Sequence, residues 1–154
     1  MSRSLAMTLL LLLATATPAI AQTYPVDDSA SQVLGSTLQL KPDAMPARGA
    51  PMYMVSGEIT VLVRLDVSPW QGRQGRIYMR MPEQSRGAIA ATWSTRGRLL
   101  PGTLRAGGRT LVYAGLIGNA MFEDTLRLHI DADGRTLPSS EQLAFSFEID
   151  LDSP

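Results

Sequence analysis

The chain contains no cysteine. No disulfide can staple the fold, and export as a lipoprotein, which needs a cysteine to carry the lipid, is excluded. A domain without staples must bury enough apolar surface to hold itself together, and 154 residues suffice for that. Histidine is almost as scarce, with His129 the only one. There is no G-x-S-x-G elbow, so a histidine-activated nucleophile has little to be built from. No catalytic residue is assigned, and the chain reads as non-enzymatic. Lysine is represented by Lys41 alone against thirteen arginines, which reads as a bias of composition. Formal charge sums to zero, which makes nucleic acid a poor partner.

Long apolar runs are also lacking, with one exception. Leu5 to Ala14 follows Arg3 and precedes Pro18 and Ala19-Ile20-Ala21. A basic start, a short apolar run and an A-x-A site make a secretory signal peptide, with cleavage near Ala21. The run is too short to span a membrane comfortably, and no second one follows. The expected organisation is a signal peptide over 1–21, an irregular N-terminal arm over 22–50 and a β-sandwich domain over 51–154. The expected location is the periplasm, the medium or the cell surface. In the arm, Pro25, Gly35, Pro42, Pro46 and Gly49 break any long element. Only a short strand at Thr37–Leu40 and a helical turn capped by Asp27-Asp28-Ser29 are expected there.

What the chain does have is alternation. Ile59, Val61, Val63, Leu65 and Val67 alternate with Glu58, Thr60, Leu62, Arg64 and Asp66. That is a strand with one face in a core. Ile77, Met79 and Met81 share a phase, as do Ile89, Ala91 and Trp93. Leu126, Leu128 and Ile130 repeat the pattern over Thr125–Ala132, and Leu143 to Leu151 repeat it again. Arg109–Ile117 is a continuous apolar run, the signature of a strand buried on both faces. Asp133-Gly134 predicts a hairpin turn. No amphipathic helix follows the leader. Seven or eight strands at this spacing predict an all-β fold, an antiparallel β-sandwich of immunoglobulin-like or jelly-roll topology, with a closed barrel second.

Charge is uneven along the chain. Arg64–Arg109 carries nine arginines against Asp66 and Glu83, and Thr110–Pro154 carries eight acids against Arg127 and Arg135. Basic and acidic strands are expected to pair across the sheets. Glu123-Asp124, Asp131 with Asp133, and Glu148 with Asp150 are the carboxylate pairs. The first is placed in a loop and the others on a wet face, where acids solubilise rather than catalyse. Asp131-Ala132-Asp133-Gly134 resembles half a calcium loop but lacks the distal glutamate.

Two candidate sites remain. Met52 with Met54 and Met79 with Met81 form M-x-M pairs, which place two thioethers on one face of a strand. With His129, Met45 and Trp93 they are the candidate ligands of a Cu(I) site. Met79 and Met81 also share the phase of Ile77, the position of core filler. Trp70 lies in a loop with Arg73 and Arg76, a combination suited to a partner surface or to plugging one end of a sandwich. No resident cofactor is assigned.

Glu58-Ile59-Thr60-Val61, continuing through Asp66 to Pro69, resembles the alternating strand near the mature N-terminus of pilins of the alternative chaperone–usher class. The resemblance implies a cysteine-free, exported, immunoglobulin-like subunit whose sheet is completed by a strand from a neighbour. Here the strand begins 36 residues after the expected cleavage site, and Gln22–Leu40 holds no long alternating run. That departure fits a self-complemented accessory subunit better than a major pilin. The expected function is a non-enzymatic binding or structural module of a fimbria or other cell-surface assembly. Its expected partner is another protein or a second copy, met along a strand edge. The alternative is a small periplasmic ligand or Cu(I) carrier.

Overall fold

The computed structural model describes residues 22–35, 38–42, 48, 53–83, 89–135 and 144–152. Residues 1–21, where a signal peptide is expected, and Met45, Met52 and Glu141–Leu143 lie outside the described residues. The strands are β1 (Gln22–Val26), β2 (Gln32–Leu34), β3 (Lys41–Pro42), β4 (Met54–Asp66) and β5 (Gln74–Arg80). They continue as β6 (Ile89–Thr95), β7 (Gly102–Arg105), β8 (Arg109–Leu116), β9 (Met121–Asp133) and β10 (Ser146–Leu151). The element Ser68–Trp70 is a single 3-10 turn. Among the described residues no helix is long and apolar enough to cross a membrane.

The strands form two antiparallel sheets that face each other and do not close into a barrel. Sheet A runs β1-β10-β5-β8. Sheet B runs β2-β4-β9-β6-β7, with β3 also paired to β4. The fold is a β-sandwich. The seven strands β4 to β10 match the count expected from periodicity, and the arm adds three more.

The alternating residues make the core. Val63 and Leu65 of β4, with Val67 just beyond its end, join Leu126, Leu128 and Ile130 of β9, all at most 2% exposed. Ile77, Met79 and Ile149 meet them from sheet A. Each such side chain contributes roughly 1.5–3 kcal/mol by leaving water. The β4–β9 ladder is continuous from Met54↔Asp133 to Asp66↔Met121. A one-residue slip would turn every core residue of both strands to solvent, so the register is strongly specified.

Several local expectations are corrected. Gln22–Val26 is not irregular. It pairs with β10 and turns Tyr24 and Val26 toward the core beside Ile149 and Phe147. Pro25 is tolerated because β1 is an edge strand. The helical turn expected after Asp27 is instead a tight turn. Ser31 N–H donates to Asp28 O at 2.8 Å and the chain re-enters as β2. Of the strand expected at Thr37–Leu40, residues 38–40 are not strand.

The apolar run Arg109–Ile117 is an edge strand rather than one buried on both faces. Its ladder to β5 shifts between Ile77 and Tyr78, so Ile77 pairs with Tyr113 and Tyr78 with Leu111. Val112 is the extra residue and is fully buried. The bulge resets the alternation, which is why apolar residues run on without a break. Asp133-Gly134 turns the chain but makes no hairpin. Gly134 N–H donates to Tyr53 O at 2.7 Å, and the next described strand, β10, belongs to the other sheet.

Charge pairing across sheet A follows the expected pattern. Arg109 reaches over β5, with its guanidinium 4.1 Å above the Tyr78 ring centre. It bonds Glu148 at 2.6 Å and Asp150 at 2.9 Å on β10. Arg76 pairs with Asp152. Asp150 is only 6% exposed and also accepts from the Thr23 hydroxyl of β1 at 2.5 Å. Burial by itself pushes the Asp150 carboxyl up. The Thr23 hydroxyl and the Arg109 guanidinium outweigh it and hold the group below the usual 3.8. A carboxyl that is more acidic folded than unfolded adds stability above its unfolded pKa. That contribution is lost as pH falls through the lower folded value. Urea midpoints measured from pH 6 downward are therefore expected to fall below about pH 4, and less steeply in Asp150→Asn than in the wild type. Parallel acid limbs would show that Asp150 is not the group responsible.

Candidate binding surfaces

The residues singled out in the sequence do not converge. Met79 and Met81 are buried between the sheets, at 1% and 0% exposure. Met54 faces outward on sheet B opposite Asp133. His129 faces outward on the same sheet opposite Glu58, four residues further along β4 and therefore about 13 Å away. A copper site drawing on both M-x-M pairs needs its thioethers on one side of one sheet. Cu(I) or Ag(I) added to purified protein is accordingly expected to leave the melting temperature and tryptophan fluorescence unchanged. A saturable rise in melting temperature would contradict this.

Nor do these groups form catalytic arrangements. His129 Nε2 lies 3.2 Å from Asp131 Oδ1, and its cross-strand neighbour Thr92 points its hydroxyl toward Thr103 instead. Glu148 and Asp150 are held in the arginine network just described. Among the described residues, no three histidine or carboxylate side chains gather as a metal site.

Trp70 is half-buried and packs against the core at one end of the sandwich. Its ring centre is 6.0 Å from that of Tyr24. Arg73 and Arg76 are exposed beside it. Arg76 is engaged by Asp152, so the three do not form one uncommitted surface.

Two other surfaces stand out. The first is the open side of β4. All thirteen residues of β4 pair with β9, but on the other side β2 covers only Thr60–Leu62 and β3 only Val55–Ser56. Between them the chain passes close to Gly57, where an added Cβ would lie 2.6 Å from Gln39 O. A side chain there would push the arm away, which accounts for glycine at that position. All three residues of β2 are exposed, including Val33 at 55% and Leu34 at 44%. The edges at β1, β3 and β8 are blunted. β1 carries Pro25 and β3 carries Pro42. On β8, the Val112 carbonyl accepts from Leu100 N–H at 2.7 Å.

No protein-family model, curated protein or solved structure matches the chain.

The second surface is a groove of about 540 Å³ on the outer face of sheet B. Thr60 on β4, Arg127 on β9 and Ser94 on β6 lie side by side in one cross-strand row. Leu62 and Thr125 form the next row, and Arg96 closes one end. The turn bearing Arg96 is held by a buried carboxylate. Asp124, 6% exposed, accepts from Leu99 N–H at 2.9 Å and from Thr125 N–H at 2.7 Å. Gly97 packs so closely on that carboxylate that an added Cβ would be 2.6 Å from it.

Glu123 and Asp124 are thus strand residues, where a loop is expected from the sequence. β9 begins four residues earlier than the clear alternation, at Met121. Glu123 turns outward to Arg64 at 2.6 Å and Asp124 turns inward. A signal was available: the phase of Leu126 and Leu128, carried back two residues, puts Asp124 on the core side. The groove itself has no comparable signal, because its residues come from three strands whose adjacency the sequence does not state.

Proposed function

We propose that this chain is an exported, non-enzymatic β-sandwich that works by binding another chain along a strand edge. A periplasmic or cell-surface assembly such as a fimbria is the setting. The observation that carries this reading is the edge formed by β2, a three-residue exposed strand with two apolar side chains and no proline or charge. Unpaired N–H and C=O groups on such a strand add a further strand readily, and exposed Val33 and Leu34 supply apolar contact. The self-complemented character expected from the sequence is supported by the arm's own pairing with β4. The signal peptide supports export.

The test is sedimentation of the mature chain over a wide concentration range, with amide exchange read in parallel. The wild type is expected to self-associate, and Val33→Lys with Leu34→Lys is expected to stay monomeric without loss of melting temperature. Charge at an edge blocks strand addition and costs little on a surface. A wild type that remains monomeric at high concentration, with β2 amides as well protected as those of β9, overturns the reading.

A further inference from the structure

We propose that the groove on the outer face of sheet B binds an acidic oligosaccharide. This does not rest on strand addition: Thr60 and Leu62 of the groove pair with Leu34 and Gln32 of β2, but a ligand on the sheet face does not use the outer backbone edge of β2.

Three observations carry it. The first is charge. Among the described residues, Arg96 and Arg127 have no hydrogen-bond or ion-pair partner, although both are exposed at the groove. The acids nearby are already committed. Glu123 is taken by Arg64, and Asp124 by two backbone N–H groups. Two guanidinium groups left open at one depression suit an oxyanion, which each can grip with two parallel N–H bonds.

The second is the rest of the lining. Thr60, Ser94 and Thr125 bring hydroxyls that both donate and accept. A ligand rich in hydroxyl groups matches them, with Leu62 left to meet the carbon face of a ring. The volume falls in the roughly 300–1,000 Å³ range of small-ligand sites.

The third observation separates a sugar from a peptide. Thr125 and Arg127 lie on β9, which is paired here on both sides, with β4 at Leu62 and Thr60 and with β6 at Ser94. At Arg127 both sides of β9 are paired, so a peptide finds no free ladder to extend there. Over this row a ligand meets side chains and no open ladder. An acidic peptide would bring a main chain with no ladder to join, whereas an acidic sugar brings only groups that these side chains can meet.

The site is also built rather than incidental. Gly97 and buried Asp124 together fix the turn, and the turn positions Arg96 over the groove. Such a fixed turn lowers the ordering cost of binding.

The experiment is titration calorimetry on the mature protein with four probes: a galacturonate oligosaccharide, a sulfated galactose oligosaccharide, a neutral galactose oligosaccharide of equal length, and a short polyglutamate. At least one acidic sugar is expected to bind at least about tenfold more tightly than the neutral sugar and polyglutamate. Which acidic sugar binds distinguishes carboxylate from sulfate. Arg127→Ala and Arg96→Ala are each expected to weaken that binding about tenfold or more, and Arg127→Lys by less, since it keeps the charge and loses the fork. Arg73→Ala, far from the groove, is the control and is expected to change nothing. Unaltered melting temperatures show that the variants are folded. Absence of acidic-sugar binding, equal binding of polyglutamate or the neutral sugar, or indifference to Arg127→Ala overturns the proposal. None of these outcomes changes the sedimentation test of strand addition.

Discussion

Trp93→Ala is expected to cost about 3–5 kcal/mol of folding free energy, the range for emptying a buried indole site. Trp93 is 3% exposed on the inner face of β6. Its Nε1–H donates to Leu100 O at 3.0 Å, across the bend that leads into β7. The ring also packs closely against Gly102. A Cβ at Gly102 would come within 2.9 Å of Trp93 Cζ2, so no other residue fits opposite it. Alanine therefore leaves a cavity beside a glycine, which has no side chain to fill it, and strands the Leu100 carbonyl. Urea unfolding followed by far-UV circular dichroism measures the loss. Trp93→Phe keeps one aromatic ring, losing the hydrogen bond and part of the indole volume, so a smaller loss than for alanine, about 1–3 kcal/mol, is expected. A loss under about 1 kcal/mol for Trp93→Ala would mean the indole is not part of the core.

The second large effect is expected at Asp124. Replacement by alanine leaves the buried N–H of Leu99 and the part-buried N–H of Thr125 without this acceptor. Stranding the buried donor costs about 1–3 kcal/mol, and the part-buried one adds less. Gly97→Ala attacks the same contact from the other side, because its new methyl would overlap the carboxylate. The two changes are therefore expected to be non-additive. Once Asp124 is alanine, the added methyl at position 97 has room, and the loss in the double variant should be well below the sum of the single losses. Strict additivity in chemical denaturation would show that Gly97 and Asp124 do not meet. Both variants should also lose affinity at the groove, since each frees the turn that carries Arg96.

Strand β4 illustrates how far the sequence could be read. Its core face was legible because β-branched residues alternate over a whole strand with no break, and the same holds for β9 beyond Asp124. Burial enforces that periodicity, so the periodicity reports burial. Where a second effect intervened, the pattern misled. In β8 a bulge at Val112 removed the alternation and imitated a strand covered on both faces. In β1 five residues were too few to show a period, and Pro25 argued against a strand. That segment is ordered by the waiting edge of β10 and by the packing of Val26, neither of which is local information. At Asp124 a carboxylate on the core phase conflicted with the expectation that acids face water. The resolution is two backbone donors that arrive from a distant bend and from its own neighbour.

The sequence alone determined that this is a strand-built domain without disulfides, which residues of β4, β5, β6 and β9 face inward, and that basic strands find acidic partners. These follow from short-range rules: side chains alternate along a strand, and apolar ones leave water. Tertiary structure decided the order of strands in the two sheets. It decided that β4 is an internal strand, covered at its open side by β2 and β3. It separated Met79 and Met81 from Met54 and His129, and it brought Thr60, Ser94 and Arg127 into one row. Such juxtapositions depend on which edges meet, and edge pairing is settled by the energy of the whole core rather than by any one stretch of chain.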